Sequence, residues 1–293
     1  MKYIILLGDG MADYPLEELK GKTPLEYAYT PYMDMIASQG TLGRIDTIPA
    51  GFSPGSDVAI MTVLGYNPKQ YYTGRGPLEA ASIGLQLGDN DVAFRCNLVT
   101  LAGNVKYIME DFTAGHITTE EAKLIINDID KELGTANFQF YPGIGYRHLF
   151  VWRDGKYLLK TTPPHDITGK AICNYVPRDG DGADQLNNLM ERSQVILKDH
   201  PVNRLRLKKG KKPVSSIWLW GQGKAPRFEK LFDKYTIQGG MISAVDLLNG
   251  IGVCAGLKVI HVEGATGYTD TNYLGKARKA LRLERYGFYI CPC

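Results

Sequence analysis

The sequence predicts an α/β protein in which a parallel sheet, built from both ends of the chain, is interrupted by an inserted α+β domain. Short apolar runs that end in glycine-rich turns occur at residues 3–7 and return after residue 213. Helical patterns follow these runs, and this alternation is typical of a parallel sheet. Between them, the chain changes to strands in which apolar and polar residues alternate. We therefore predict a core of residues 1–77 and 213–293 and an insert of residues 78–212.

The elements follow from local signals along the chain. The apolar residues 3–7 have the composition of a buried strand. Thr23 is a good N-cap with Pro24 at the first helical position, and a helix through residues 33–37 ends at Gly40. Strand 42–48, a helix from Ser56 and a breaker-rich joint at 71–77 follow in the first part of the core. The insert is predicted to contain helices 78–87, 119–133 and 184–197 and strands 92–98 and 148–152. The second part of the core is predicted to contain strand 217–220, helix 242–248, strand 258–261, helix 273–282 and strand 288–291.

Composition excludes several classes of protein. The net charge of +3 over 293 residues is close to balanced, which argues against a general nucleic-acid-binding protein. A basic cluster at residues 204–212 is interpreted as a solvated loop. No apolar run reaches the roughly 18 residues that a membrane-spanning helix needs, and the first run is too short for a signal peptide. We therefore expect a cytoplasmic protein with no membrane or nucleic-acid partner.

The cysteines support the same compartment. There are five, an odd number, and most are far apart in the sequence. This pattern fits reduced thiols better than a disulfide framework. Cys291 and Cys293 have a spacing that could bind a metal ion, but no second pair accompanies them. These two thiols alone do not predict a metal site.

Two residues stand where a ligand or a reacting group is expected. Ser56 follows a proline and a glycine and begins an apolar helix, whose dipole would favour an anion or an activated serine oxygen. An ordinary helix N-cap is the alternative interpretation. Asp9 follows the first strand, at the carboxyl end where open α/β sheets bind ligands. We expect the side-chain oxygens of Asp9 and Ser56 to lie close together and to share a divalent metal ion, which would activate the serine as a nucleophile.

Several segments carry a resemblance to one family. GDGMADYPLEELKGKTPLEYAYTP, PGSDVAIMTVLGYNP and YYTGRGPLEAASIGLQL resemble the archaeal-type, cofactor-independent phosphoglycerate mutases of the alkaline phosphatase superfamily. TPPHDITGK, SSIWLWGQG, MISAVDLLNGIG and GATGYTDTNYLGKA resemble a bacterial branch of that group, proposed to be homoserine kinases. The resemblance runs along almost the whole chain. It implies an alkaline-phosphatase-like core, two divalent metal ions such as Mn, Zn or Mg, and Ser56 as the phosphorylated residue, with Asp9 and Ser56 binding one metal.

The resemblance also implies a set of residues that bind a small phosphorylated metabolite. Arginines are expected among them, because a guanidinium binds carboxylate and phosphate with two parallel hydrogen bonds. Arg147 and Arg206 are expected to face Ser56 from the insert. The resemblance carries His116, Arg147, Arg206, His165 and Asp166. Two further candidates come from their positions: Arg75, in a turn next to the serine helix, and Lys276, which could reach a phosphate. A structural or solvated role is the alternative for each of them.

Most metal ligands of the superfamily are not expected in this chain. Relatives complete their metal sites with a late Asp-x-x-x-His, an Asp-His pair and a further His, and the first of these follows a strand like residues 288–291. Here the sequence stops at Cys293. Asp199-His200 lies at a helix end in the insert, and residues 111–116 have the wrong spacing. We therefore expect the C-terminal part of the core to be missing, and weak metal binding and little phosphoryl transfer by this chain.

Three functions remain open from the sequence. The first is interconversion of 3-phosphoglycerate and 2-phosphoglycerate through a metal-activated serine. The second is a homoserine kinase with the same serine chemistry, although the chain has no GxxxxGK[ST] loop for ATP. The third is a non-catalytic remnant that binds phosphorylated metabolites. The sequence indicates neither the oligomeric state nor the metal.

Overall fold

The computed structural model describes residues 3–103, 106–282 and 288–292. Its strands are β1 (Tyr3–Leu7), β2 (Val92–Ala102), β3 (Ile108–Asp111), β4 (Phe138–Tyr141), β5 (Arg147–Trp152), β6 (Ser216–Lys224), β7 (Gly239–Met241), β8 (Lys258–Val259) and β9 (Phe288–Pro292). Its α-helices are α1 (Pro24–Tyr27), α2 (Pro31–Gln39), α3 (Ser56–Val63), α4 (Pro68–Tyr71), α5 (Arg75–Ser82), α6 (Thr119–Leu133), α7 (Ala183–Lys198), α8 (Pro201–Lys208), α9 (Leu231–Tyr235), α10 (Asp246–Cys254) and α11 (Tyr273–Arg282). None of these helices is long and apolar enough to cross a membrane.

The chain divides into two units. Unit 1 contains the residues up to Gln70 and those from Glu229 onward, and unit 2 is Tyr71–Phe228. The boundaries predicted after residues 77 and 212 therefore both fall inside unit 2. The reason is that α5 and β6, which flank the predicted insert, both pack against β2 of the unit 2 sheet.

Unit 1 contains a parallel sheet with the strand order β1-β9-β7-β8. Residues from both ends of the chain meet in it, because β1 pairs with β9 in parallel, with Tyr3 opposite Phe288. The prediction of a parallel sheet formed by both chain ends is confirmed. The first helix begins as predicted, with a capping box between Thr23 and Glu26.

Two predictions about unit 1 are wrong for the described residues. Residues 42–48 form no strand, and Leu42 and Ile45 are 78% and 67% exposed, so their apolar side chains are not buried against the sheet. β1 was predicted to be a buried strand, but Leu6 is 66% exposed. The strand lies at the edge of the described sheet, with a neighbour on one side, which leaves its side chains partly uncovered.

Unit 2 is built on an antiparallel sheet around the long strand β2. The strand order is β3-β2-β5-β4, and β6 also pairs with β2. The run at residues 217–220 was predicted to belong to the parallel sheet, and this is wrong: β6 pairs antiparallel with β2, with Leu98 opposite Ile217. Both faces of β6 are covered, since Trp218 and Leu219 are fully buried. A continuous apolar run indicates burial on both faces, which is common in parallel sheets but not confined to them.

Helices cover the unit 2 sheet. α6 begins with a capping box between Thr118 and Glu121. Its buried residues recur at helical spacing and join the main core: Ala122, Ile125, Ile126, Ile129 and Leu133. α5 lies close against β2, because a Cβ atom added at Gly76 would come within 2.4 Å of the Ala93 carbonyl oxygen. Glycine at this position therefore allows α5 to bring its charged side chains to the surface of β2.

One buried histidine of unit 2 makes the stability of the folded state depend on pH. His148 is 1% exposed, and its Nδ1 accepts a hydrogen bond from the Gly143 N–H at 2.9 Å. Burial lowers the pKa of His148 to about 3, with a smaller contribution from the positive charge of Arg147. The folded state therefore holds the neutral ring, whereas the unfolded state binds a proton below the ordinary pKa. Stability is lost as the pH falls from about 6.5 towards 3.

We expect His148→Asn to reduce this pH dependence. The asparagine side chain would keep an acceptor for the Gly143 N–H but bind no proton in either state, so the free energy of unfolding should fall less steeply with acid. The wild type should lose about 1.4 kcal/mol more per pH unit between pH 6 and pH 4. Urea unfolding of both proteins across this range measures the difference. Equal slopes would contradict the assignment of a buried neutral His148.

Candidate functional site

The side chains of Ser56 and Asp9 meet within unit 1. Asp9 follows β1, and Ser56 is the first residue of α3. The Ser56 Oγ donates a hydrogen bond to Asp9 Oδ2 at 2.9 Å. The prediction that these two oxygens lie close together is confirmed. The N-cap of α3 is Gly55, with extended backbone and no side-chain capping bond, so the interpretation of Ser56 as an N-cap is wrong. Its hydroxyl is engaged with a carboxylate instead of closing the helix end.

Asp9 lines a cavity of about 590 Å³ that belongs to unit 1 alone. A volume of this size suits a small-molecule ligand. The cavity is also lined by Lys276, by Ser243 and by residues of the loop between β8 and α11. Lys276 is 3% exposed. The structure therefore places this lysine in the wall of the cavity that contains Asp9, and the interpretation as a solvated surface lysine is wrong.

In unit 2, two arginine side chains lie next to the indole of Trp220. The Arg95 guanidinium lies 4.6 Å from the ring centroid and the Arg75 guanidinium lies 5.6 Å from it. Arg95 is 8% exposed, and its Nε lies 3.2 Å from Glu79 Oε1 of α5. Burial lowers the pKa of Arg95, Glu79 raises it, and the charges of Arg75 and Arg147 lower it further. Arg75 and Arg147 therefore lie close enough to Arg95 for their positive charges to act on it.

Arg147 carries a hydrogen-bond donor that the described structure does not use. Its guanidinium lies 5.8 Å from the ring of Tyr146. The Arg147 Nε is buried, and among the described residues it has no hydrogen-bond partner. A buried donor without a partner costs free energy, which an anion at this position would recover. Arg147 and Arg75 were both predicted from the sequence to bind substrate. The structure brings them together with Arg95, which the sequence analysis did not identify.

His165 and Asp166 lie beside the same cluster. The His165 ring contacts Trp220 edge-on with centroids 5.5 Å apart, and its Nε2 lies 3.5 Å from Asp166 Oδ1. Partial burial lowers the pKa of His165, Asp166 opposes this, and Arg75 and Arg95 lower the pKa further. The imidazole is therefore mainly neutral at neutral pH and can donate or accept a hydrogen bond. Asp166 is 62% exposed.

The charges of this cluster favour an anion. Arg75, Arg95 and Arg147 bring three positive charges to this part of unit 2, where Glu79 pairs with Arg95. Like charges at short range in a partly desolvated place repel one another, so a bound anion would relieve the repulsion. Guanidinium groups bind phosphate and carboxylate groups through forked hydrogen bonds. We refer to Arg75, Arg95, Arg147, His165 and Trp220 as the arginine cluster.

Comparison with known proteins decides the family. The family model of 2,3-bisphosphoglycerate-independent phosphoglycerate mutase matches residues 37–203. A Geobacter sulfurreducens protein named a probable mutase of this kind is 57% identical over 290 residues, which are 98% of this chain and 72% of the relative. The chain belongs to the 2,3-bisphosphoglycerate-independent phosphoglycerate mutase family. The mutase of Methanosarcina barkeri is 54% identical over 97% of this chain and 70% of the relative.

A solved structure agrees with this membership. The cofactor-independent phosphoglycerate mutase of Thermoplasma acidophilum superposes with a TM-score of 0.60 at 29% identity. The match covers all of this chain and 77% of that one. The resemblance inferred from the sequence is therefore confirmed, and the members of this family are phosphoglycerate mutases, which are isomerases.

The mutase family uses divalent metal ions, and the described residues supply only part of such a site. Asp9 and Ser56 offer two adjacent oxygens. The described part of the chain contains no group of three or more His, Cys, Asp or Glu side chains that could hold a metal ion. Zinc takes about four ligands and manganese about six. The described residues therefore do not fit a two-metal site. Cys293, whose spacing from Cys291 could suit a metal ion, lies outside them.

The remaining two predicted substrate residues of unit 2 are Arg206 and His116. Arg206 is fully buried inside unit 2, where its Nε donates to the Lys212 carbonyl at 2.9 Å and its two other nitrogens bind Glu121 and the Ala114 carbonyl. Because all three nitrogens are engaged, Arg206 has no group directed at a substrate, and the prediction that it faces Ser56 is corrected to a structural role. His116 is an exposed residue in left-handed backbone, with φ of 48°.

Proposed function

We propose that this chain interconverts 3-phosphoglycerate and 2-phosphoglycerate, with Ser56 accepting the phosphoryl group and returning it. The observation that carries the proposal is the hydrogen bond from the Ser56 Oγ to Asp9 at the start of α3. Membership of the mutase family supports it. In this proposal unit 1 is the phosphatase-like core that carries the reacting serine, and unit 2 is the substrate-binding insert.

The proposed chemistry has two balanced steps. The Ser56 oxygen attacks the phosphorus of 3-phosphoglycerate, and the bond between phosphorus and the C3 oxygen breaks. Asp9 accepts the serine proton and passes it to the C3 oxygen as that oxygen leaves. The C2 hydroxyl oxygen then attacks the phosphorus of phosphoserine and gives its proton to Asp9. The bond between phosphorus and the Ser56 oxygen breaks, and Asp9 returns the proton to Ser56. The Asp9 carboxylate orients the serine, which is a condition for in-line attack.

Two features of unit 1 would stabilise the phosphoryl group during its transfer. Ser56 is the first residue of α3, so the positive end of the helix dipole lies at its oxygen. Lys276 lines the cavity that contains Asp9 and supplies a positive charge there. Fixed positive groups aimed at developing negative charge lower the barrier most when they are already in place before reaction.

The arginine cluster is proposed to bind the anionic groups of phosphoglycerate. The substrate carries a phosphate and a carboxylate, and both suit guanidinium forks. His165 is proposed as a neutral hydrogen-bonding partner beside them, with Asp166 and His116 as further candidates. The homoserine kinase alternative has no observation in its favour over the mutase, since the family and the named relatives are mutases.

A single substitution tests the substrate site. Arg147→Met removes the guanidinium whose Nε is buried without a partner among the described residues. We expect the affinity for 3-phosphoglycerate to fall by about 10- to 100-fold, because hydrogen bonds to charged groups contribute about 1.5–3 kcal/mol each. Isothermal titration calorimetry measures this affinity. Arg227→Met is the matched control in the same unit, since Arg227 is 81% exposed and pairs with Asp89. Equal affinities of the two variants would rule out Arg147 as a binding residue.

A further inference from the structure

Trp220 contacts three other members of the arginine cluster. Its ring lies 4.6 Å from the Arg95 guanidinium, 5.6 Å from that of Arg75 and 5.5 Å from the His165 ring. It belongs to β6, directly opposite Arg95 of β2 in the antiparallel ladder. Partners opposite each other across a strand pair are held at a fixed separation by the backbone.

The Trp220 ring is itself held in one orientation. Its Nε1 donates to Asn97 Oδ1 at 3.0 Å, and both residues are buried, at 3% and 1% exposed. Asn97 lies on β2 two residues from Arg95, so both side chains stand on the same face of the strand. One hydrogen bond and the surrounding packing therefore fix the plane against which the two arginines rest.

We infer that Trp220 is a positioning residue of the phosphoglycerate site, where its indole face holds Arg75 and Arg95 side by side against their mutual repulsion. The inference rests on the proposed function. Two like charges in one partly desolvated place separate unless something holds them, and a tryptophan face is the side chain that best attracts a guanidinium. Glu79 also restrains Arg95, through the ion pair between them.

This role has a consequence for binding. A cluster that already holds its guanidinium groups in place loses little side-chain entropy when an anion binds. Without the indole face, the Arg75 and Arg95 guanidinium groups would each lose a contact that orders them before the ligand binds. The affinity for a phosphorylated anion therefore depends on Trp220, although Trp220 carries no charge and need not touch the substrate.

The test compares Trp220 with a matched tryptophan of the same sheet. Trp152 on β5 is 7% exposed and packs edge-on against Phe138 with centroids 5.4 Å apart. Trp220→Leu and Trp152→Leu each remove a buried aromatic ring, whereas Trp220→Phe and Trp152→Phe each keep one. Binding of 3-phosphoglycerate to the 293-residue chain and to the four variants is measured by calorimetry.

We expect Trp220→Leu to bind at least about tenfold more weakly than the wild type, a change of about 1.4 kcal/mol. Trp220→Phe should stay within roughly threefold of the wild type, because it keeps an aromatic face. Both Trp152 variants should bind like the wild type.

A second readout separates positioning from loss of structure. NMR titration gives the pKa of His165, which faces Trp220, Asp166, Arg75 and Arg95. In Trp220→Leu the two arginines lose their contact with the indole and the His165 ring is less covered, so the pKa of His165 should rise towards its ordinary value. In Trp152→Leu it should not move. A merely structural role would lower the stability of both variants and leave this pKa equal in the two.

The outcomes distinguish this inference from the proposed function. A wild-type chain that does not bind 3-phosphoglycerate overturns both. A wild type that binds, with Trp220→Leu equal to Trp152→Leu in affinity and in the pKa of His165, overturns the positioning role and leaves the arginines as the binding residues. If Trp220→Leu does not fold, Trp220→Met, which also removes the aromatic face, is compared with Trp152→Met, and an affinity and a His165 pKa that are equal in the two variants overturn the inference.

Discussion

Replacing Ser56 with alanine is expected to abolish phosphoryl transfer by this chain. The proposed reaction passes through phosphoserine at this position, and alanine has no oxygen to accept the phosphoryl group. Removal of a catalytic nucleophile costs about 10⁴-fold or more in rate. The folded state should be little affected, because the hydrogen bond to Asp9 contributes only about 1 kcal/mol. A coupled assay for conversion of 3-phosphoglycerate to 2-phosphoglycerate measures the rate.

Ser53→Ala is the matched control for this substitution. Ser53 lies in the same loop three residues earlier and is exposed. It should keep the rate of the wild type, and both variants should bind 3-phosphoglycerate with unchanged affinity, since the arginine cluster is intact in each. A Ser56→Ala protein that converts substrate at the rate of Ser53→Ala would contradict the proposal. It would show that another residue accepts the phosphoryl group, or that the reaction forms no phosphorylated enzyme.

Replacing Arg206 with alanine is expected to destabilise the chain more than any of the other substitutions proposed for it. Arg206 is fully buried and binds Glu121 and two backbone carbonyls. Its removal leaves the carboxylate and both carbonyls without this donor. Breaking a buried ion pair by removing one partner costs about 3–5 kcal/mol. Urea unfolding gives the loss as a shift of the midpoint at constant slope.

Arg204→Ala is the control, because Arg204 lies on the same helix and is exposed. It should change the free energy of unfolding by less than about 0.5 kcal/mol. The affinity of folded Arg206→Ala for 3-phosphoglycerate should equal that of Arg204→Ala. If instead Arg206→Ala is as stable as Arg204→Ala but loses affinity, Arg206 is a substrate residue, as the sequence alone had predicted.

The place of Asp9 in this pair could be predicted from the sequence because it follows from topology, whereas the strand predicted before Ser56 at residues 42–48 does not form. Asp9 comes after a strand of the parallel sheet, and the carboxyl ends of parallel strands meet at one edge. The exact start of α3 could not be predicted. A serine after glycine is a good N-cap by composition, yet Gly55 is the N-cap, and the Ser56 hydroxyl is hydrogen-bonded to Asp9, which lies 47 residues earlier.

The arginine cluster shows where local signals fail. Arg95 was missed, although an arginine in the middle of a strand with apolar neighbours is a signal of a buried charge with a partner. Its partners are Glu79 and Trp220, which the sheet register and the close approach of α5 at Gly76 bring together. Arg206 was assigned to the substrate for the opposite reason. It lies in a basic sequence, and only the fold shows that its guanidinium is buried.

Sheet membership was the largest error in the fold. The run in β6 is apolar on both faces, and the sequence signal for such a strand is the same whether its neighbour is parallel or antiparallel. Pairing with β2 is decided by a partner more than 100 residues away, since Leu98 lies opposite Ile217. Local pattern predicts that a buried strand exists, while long-range contacts decide which sheet receives it.

Mass-spectrometric mapping of phosphate on the chain after brief incubation with 3-phosphoglycerate and Mn²⁺, quenched in acid, tests the central claim most directly. Phosphoserine survives acid, whereas phosphate on histidine or on a carboxylate does not. The account predicts one phosphoryl group on the peptide that contains Ser56, with none on Ser53 and none in Ser56→Ala. Conversion of substrate without phosphate on Ser56, or phosphate at another residue of the wild type in its place, would contradict it.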